Sequence, residues 1–148
     1  MGYELIWFFC KSATCDAHAV VAAIGFEENR ASLELLDASG VTIPGLQIPK
    51  VTPPQQTTDE LLREIDATEL RKKIAARMTT GWSVIDDTTR ETSWDSGGGG
   101  GAVQLSWDRR YVIGSGYGNF AGGMQAVHDA LKAEGFVCFD PQTNEIMP

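Results

Sequence analysis

Residues 111–140 read YVIGSGYGNFAGGMQAVHDALKAEGFVCFD. An apolar run enters a glycine-rich turn, a helical stretch follows, and a second apolar run closes the segment. Phe120, Met124, Val127 and Leu131 recur at helical spacing, so one face of a helix over about Phe120 to Glu134 is apolar. Gly135 stands where a helix C-terminus favours glycine. Phe136 to Phe139 reads as a strand, and Asp140-Pro-Gln-Thr-Asn144 turns it toward a short last strand. The question is whether this strand–turn–helix–strand unit binds a nucleotide.

Gly116-Tyr-Gly118-Asn-Phe-Ala121 satisfies the G-x-G-x-x-G/A spacing, and Asp140 lies beyond the next strand, where a ribose-binding acid would stand. Against this, Ala102 to Trp107 and Tyr111 to Ile113 form a hairpin around Asp108-Arg109-Arg110, which is not the setting of a parallel βαβ sheet. Pro141 gives Asp140 a turn role, and no Walker lysine string is present. Gly114, Gly116 and Gly118 are therefore expected to tighten a strand-to-helix connection. A nucleotide- or anion-binding loop over 114–123 is the alternative they leave open.

Working outward, Tyr3 to Cys10 is an aromatic and branched strand. Ser12 or Thr14 caps a short helix over about Cys15 to Ile24, and Ala31 to Leu36 alternates as a half-buried strand. Val41 to Ile43 is a further short strand, ended by Pro44. With Pro49, Pro53 and Pro54 it starts an irregular crossover over 44–58. Thr57 and Glu60 form a capping box for a helix running toward Met78, and Asp66 with Glu69 offers a second. Arg71, Lys72, Lys73 and Arg77 crowd the end of that helix, where they suit its dipole. Trp82 to Ile85 begins a strand that Asp86-Asp87 carries to an exposed edge. The glycines within 96–101 read as a flexible loop. These elements predict one α+β domain spanning 1–148. A mainly antiparallel sheet packs against helices centred on residues 16–24, 58–78 and 120–134, an order compatible with an elaborated ferredoxin-like layout.

The chain has 148 residues with 12 basic and 20 acidic side chains, a formal net charge of -8. That balance disfavours binding to nucleic acid or anionic membranes and favours a basic protein partner. Self-association is left open, and no cofactor is implied. The apolar start carries Glu4 and is too short to span a bilayer, and it lacks a signal peptide's cationic beginning. Three cysteines cannot all pair within one chain, so a reducing, cytoplasmic setting is expected.

Three constellations carry candidate chemistry. Cys10, Cys15, His18 and Cys138 are a soft-ligand set that zinc would accept, although the spacing forms no compact knuckle. Cys15 at a helix start, with His18 one turn on, outlines a cysteine nucleophile and base. No third orienting group is evident, and buried or surface structural roles account for both residues. Asp86, Asp87, Glu91 and Asp95 surround Trp94, and would steer a cationic partner onto an aromatic anchor. Glu27, Glu28, Glu34 and Asp37 form a looser acidic group. The aromatic first strand and the terminal GFVCFDPQTNEI resemble parts of small bacterial toxin-immunity or accessory proteins. That resemblance implies inhibition by binding, without turnover, and assigns no residue a role. The expected function is a non-enzymatic acidic protein-binding domain.

Overall fold

The computed structural model describes residues 2–14, 16–38, 53–78 and 81–148. The chain divides into two compact units, one formed by Met1–Cys10 with Leu62–Pro148 and the other by Lys11–Leu61.

The larger unit holds strands β1 (Tyr3–Phe8), β2 (Ser83–Asp87), β3 (Glu91–Asp95), β4 (Gly101–Trp107), β5 (Tyr111–Gly118), β6 (Val137–Asp140) and β7 (Glu145–Met147). They form one sheet in the order β2-β3-β4-β5-β1-β6-β7, and every neighbouring pair is antiparallel. Helices α3 (Ala67–Arg77) and α4 (Ala121–Ala133) also belong to this unit. Leu70 and Ile74 of α3 and Met124, Val127 and Leu131 of α4 join Leu5, Trp7, Trp94, Val103, Leu105 and Val112 in one apolar cluster. The predicted spacing of the last helix is thus the spacing of its buried face. Strands β4-β5-β1-β6 with α3 and α4 have the split β-α-β-β-α-β order of a ferredoxin-like core. The β2–β3 hairpin widens one edge and β7 the other.

This topology places β5 and β6 parallel to each other but apart, because β1 lies between them and is antiparallel to both. Gly114 and Gly116 serve that insertion. A Cβ on Gly114 would stand 2.5 Å from the Trp7 ring, and one on Gly116 would stand 2.5 Å from the Phe120 ring. Gly118 has a φ of +59°, and its backbone packs on the Gly100 carbonyl. All three glycines lie within β5, so their role is close packing of rings and backbone on the sheet.

Two expectations are corrected. Residues 31–36 are helical, because the helix that begins after Asp16 continues as α1 (Ala17–Ala38). Its glutamates, leucines, alanines and arginine are strong helix formers that outweigh a short period-two pattern. Its start is held by Asp16, whose side chain accepts the His18 amide at 2.9 Å. The helix predicted to run from 57 to 78 is two helices, α2 (Thr58–Leu61) and α3. Between them the backbone pairs with other strand ends: Cys10 bridges Leu62, the Arg63 amide bonds Phe9 O at 2.9 Å, and the Ile65 amide bonds Arg109 O at 2.8 Å. Asp66 then caps the new helix by accepting the Glu69 amide at 3.2 Å. The glycine segment is a short 3₁₀ turn over Gly97–Gly99, tied across its base by Ser96, whose Oγ accepts the Gly101 amide at 2.7 Å.

In the smaller unit, Val20, Ala23 and Ile24 of α1 are buried, and the Thr58 hydroxyl donates to the Glu27 carboxylate. The Thr57 cap is present, its Oγ1 accepting the Glu60 amide at 3.3 Å, while the Glu60 carboxylate meets the Thr57 hydroxyl rather than its amide. The strand expected at 41–43 and most of the proline crossover over 44–58 lie outside the described residues.

If ring packing holds β1 in place, Gly114→Ala should destabilise the protein by about 1–3 kcal/mol through overpacking. Gly122→Ala should be neutral or stabilising by about 0.5 kcal/mol, since the atom nearest its added Cβ is Trp82 Nε1 at 3.9 Å. Urea titrations of both variants check this, and equal midpoints would contradict it.

Candidate functional site

The β2–β3 hairpin carries the whole of the predicted acidic site, although the structure rearranges it. β2 is an edge strand in which all five residues are exposed, including Val84 at 53% and Ile85 at 62%. In β3, Thr92 and Trp94 are buried while Glu91, Ser93 and Asp95 are half-buried, which is the alternation of a sheet with one packed face. Trp94 is only 2% exposed and belongs to the apolar cluster. It cannot serve as the aromatic anchor expected for a partner, because the pleat turns it inward.

The carboxylates separate by face. Asp86 lies opposite Ser93, so it shares the outer face, and Glu91 and Asp95 flank Ser93 two residues to either side. Diagonal neighbours of this kind are about 7–8 Å apart at the backbone, so Asp86, Glu91 and Asp95 form one outward acidic group. Asp95 also accepts the Gly97 amide. Arg90 in the hairpin turn adds one positive charge beside the group. Asp87 is different. It lies opposite Thr92 on the helix side, accepts the Thr92 hydroxyl at 3.1 Å, and sits 3.7 Å from Arg71 Nη1. Thr92 in turn accepts the Trp107 indole N–H at 3.1 Å, and the Arg71 guanidinium lies over the Trp107 ring at 5.3 Å. Asp87 thus completes a polar chain that satisfies a buried indole and sets a carboxylate beside a largely buried cation. It is structural more than available.

A second polar cluster joins β1 to β6, and sequence reasoning missed most of it. The Tyr3 hydroxyl donates to Asp140, and its ring stacks on Phe120 at 5.4 Å. Asp140 also accepts the Gln142 amide at 2.9 Å, which is the turn role expected for it. The Gln142 side chain accepts the Glu4 amide and donates to the Glu4 carbonyl, both at 2.8 Å, imitating a strand partner. Burial pushes the Asp140 carboxyl up, but hydrogen bonds from Tyr3, Gln142 and the Thr143 amide outweigh it and hold it below the usual aspartate value. The same Asp140 bond, with burial and the carboxylate charge, pushes Tyr3 up to about 12. Burial, aided by Asp140, pushes the Cys138 thiol up to about 12, so at neutral pH both Tyr3 and Cys138 stay protonated. His128 lies nearby, and its position between Val127 and Leu131 on the apolar stripe was the one signal that a polar group enters the core. A small cleft of about 170 Å³ opens beside Tyr3, Phe120 and His128.

A larger cleft of about 370 Å³ is lined by Phe9, Arg63, Lys73 and Phe136 among others. Its charges are mostly occupied: Lys73 pairs with Glu134 at 2.8 Å, and Arg63 lies over the Phe9 ring at 4.7 Å.

Of the zinc set, three members are described: Cys10, His18 and Cys138. Cys10 is disulfide-bonded, so it offers no thiolate, and Cys138 faces the core opposite Trp7. No cluster of three or more ligand-type side chains occurs among the described residues. His18 is exposed on the first turn of α1, while Cys15, its supposed nucleophile, lies outside the described residues. No helix among them is long and apolar enough to cross a membrane. No known family model matches the chain, and no curated protein matches it.

The Tyr3–Asp140 bond has a definite pH signature. A folded Tyr3 value near 12, above its ordinary 10.0, means the bond's stabilisation is complete below pH 10.0 and is lost as pH rises through about 12. Asp140 behaves oppositely, since its lowered value makes its contribution present above the ordinary aspartate range and lost on acidification. Tyr3→Phe should therefore cost about 1.5–3 kcal/mol at neutral pH, and the gap to the parent protein should close across the alkaline window. Urea unfolding at a series of pH values measures it, and a gap that stays constant to pH 12 would disprove the assignment.

Proposed function

We propose that this chain is a non-enzymatic acidic binding domain whose β2–β3 margin engages a basic protein partner. The observation that carries the reading is an outward group of Asp86, Glu91 and Asp95 beside the exposed Val84 and Ile85 of an edge strand. Carboxylates steer a cationic surface over a distance of about 8–10 Å at moderate salt. The two aliphatic side chains supply the apolar contact that Trp94 does not. The net charge of -8 supports the same sign of partner and disfavours nucleic acid.

In its most specific form the reading is an immunity-type inhibitor that covers the active or entry surface of a basic toxin. Support for that form comes from the acidity and from the likeness of the chain ends described above. The cytoplasmic setting proposed with it rests on the odd cysteine count. The disulfide at Cys10 weighs against it, because disulfides form and persist in oxidising surroundings.

The test is copurification of the full chain from its source cells, with the retained protein identified by mass spectrometry. A basic protein should be retained, its retention should fall as salt rises, and Asp86→Asn with Glu91→Gln should weaken it at least about tenfold. Asp87 is left intact so that the Thr92–Arg71 contacts survive. Retention of no specific protein, or retention unchanged in the double variant, would remove the proposal.

A further inference from the structure

We infer that the partner's contact is made by strand addition: the open edge of β2 accepts an extended basic segment that continues the sheet. This rests on the basic-partner reading above and specifies its geometry.

The first observation is the edge itself. Among the described residues β2 pairs with β3 alone, so one row of its backbone N–H and C=O groups faces away from the described sheet. Such a row is a template for another strand. The opposite edge is a weaker template, because β7 has three residues and exposes one large apolar side chain, Ile146 at 56%. β2 has five residues and exposes two, Val84 and Ile85.

The second observation concerns the guards on that edge. Proteins protect open edges with charges and bulges, and β2 has both: a register shift between Val84 and Asp86, and the pair Asp86-Asp87. Charge, unlike steric bulk, discriminates by sign. Pairing two copies of β2 would bring four aspartates into one ribbon between molecules of net charge -8 each. Like charges across strands are destabilising, whereas opposite charges are favourable. The edge is therefore closed to a second copy and open to a basic strand. Val84 gives such a strand an apolar neighbour on the helix side, and Asp86 gives it an anion on the outer face. Asp87 is held by Thr92 and Arg71, which makes Asp86 the carboxylate that selects.

The experiment uses the full chain and two synthetic peptides of equal charge, Lys-Val-Lys-Val-Lys-Val-Lys and Lys-Pro-Lys-Pro-Lys-Pro-Lys. Proline has no N–H and cannot form the ladder, so the second peptide reports attraction without strand pairing. Calorimetry should show saturable binding of the valine peptide and at least tenfold weaker binding of the proline peptide. Amide exchange within Ser83–Asp87 should slow at least tenfold in the valine complex. Asp86→Lys should abolish binding while leaving the unfolding midpoint close to that of the parent protein. Equal, salt-sensitive binding of both peptides would overturn strand addition while leaving the basic-partner reading standing. Protection appearing at β7, or no binding of the valine peptide, would also overturn it. Protection of β2 by peptide alongside a failed copurification would instead count against the cellular role alone.

Discussion

Trp7 holds the sheet together. It is fully buried, lies between Val112 of β5 and Cys138 of β6 in the strand register, and rests on the bare backbone of Gly114. Its indole N–H donates to His128 Nδ1 at 3.3 Å. An indole nitrogen can only donate, so His128 Nδ1 presents its lone pair, and Nε2 carries the proton toward Pro148 O at 3.0 Å. One side chain thus fastens β1 between two strands and ties that strand to α4. Removing it would open the centre of the core and orphan an imidazole nitrogen together. The parallel strands β5 and β6 stay apart because β1 occupies the gap, and that gap is where a dinucleotide fold would need adjacent parallel strands.

The elements with strong local grammar were legible. The hairpin at Asp108–Arg110, the last helix and its terminal glycine, the N-caps at Thr57 and Asp66, and the exposed fate of Asp86-Asp87 all follow from neighbours in sequence. What escaped were features decided at long range. Leu33 and Leu35 fit either period, and only continuation of α1 from Asp16 settles them. The 63–65 segment leaves the helix because Phe9 and Arg109 supply backbone partners that no local pattern announces. The central place of β1 between β5 and β6 depends on glycines, and glycine-rich strings are more readily taken for a ligand loop.

The candidate site was half legible for the same reason. Acidity around residues 86–95 is a fact of composition, but its division between two faces depends on strand pairing and on a bulge. Trp94 looks like an anchor in sequence because four acids surround it. The pleat reverses that meaning, since alternate residues of one strand face opposite sides. Val84 and Ile85 look like core and are exposed, because β2 is the last strand on its side. Tyr3 and Asp140 lie at opposite ends of the chain, so their bond was invisible until β1 and β6 became neighbours.

The distribution of positive charge explains why the hairpin remains acidic on one face only. Arg71, Lys72 and Lys73 lie on α3, where they meet Asp87 at 3.7 Å, Glu69 at 3.6 Å and Glu134 at 2.8 Å. Arg109 meets Glu64 at 2.8 Å. The exposed pairs among these add little stability, about 0–1 kcal/mol each, yet all of them decide where charge is left over. Each neutralises an acid on the helix side or on a connecting loop. Asp86, Glu91 and Asp95 point the other way, where the facing residues of β4 are Ala102, Gln104 and Ser106, none of them a cation. This placement of lysine and arginine along α3 therefore has a remote consequence. It draws compensation away from the outer face of the hairpin, and leaves negative potential beside the strand edge that has the most exposed aliphatic surface. Moving one of those cations onto β4 at Gln104 would neutralise that face without touching the edge backbone, which separates the electrostatic from the hydrogen-bonding part of any contact made there.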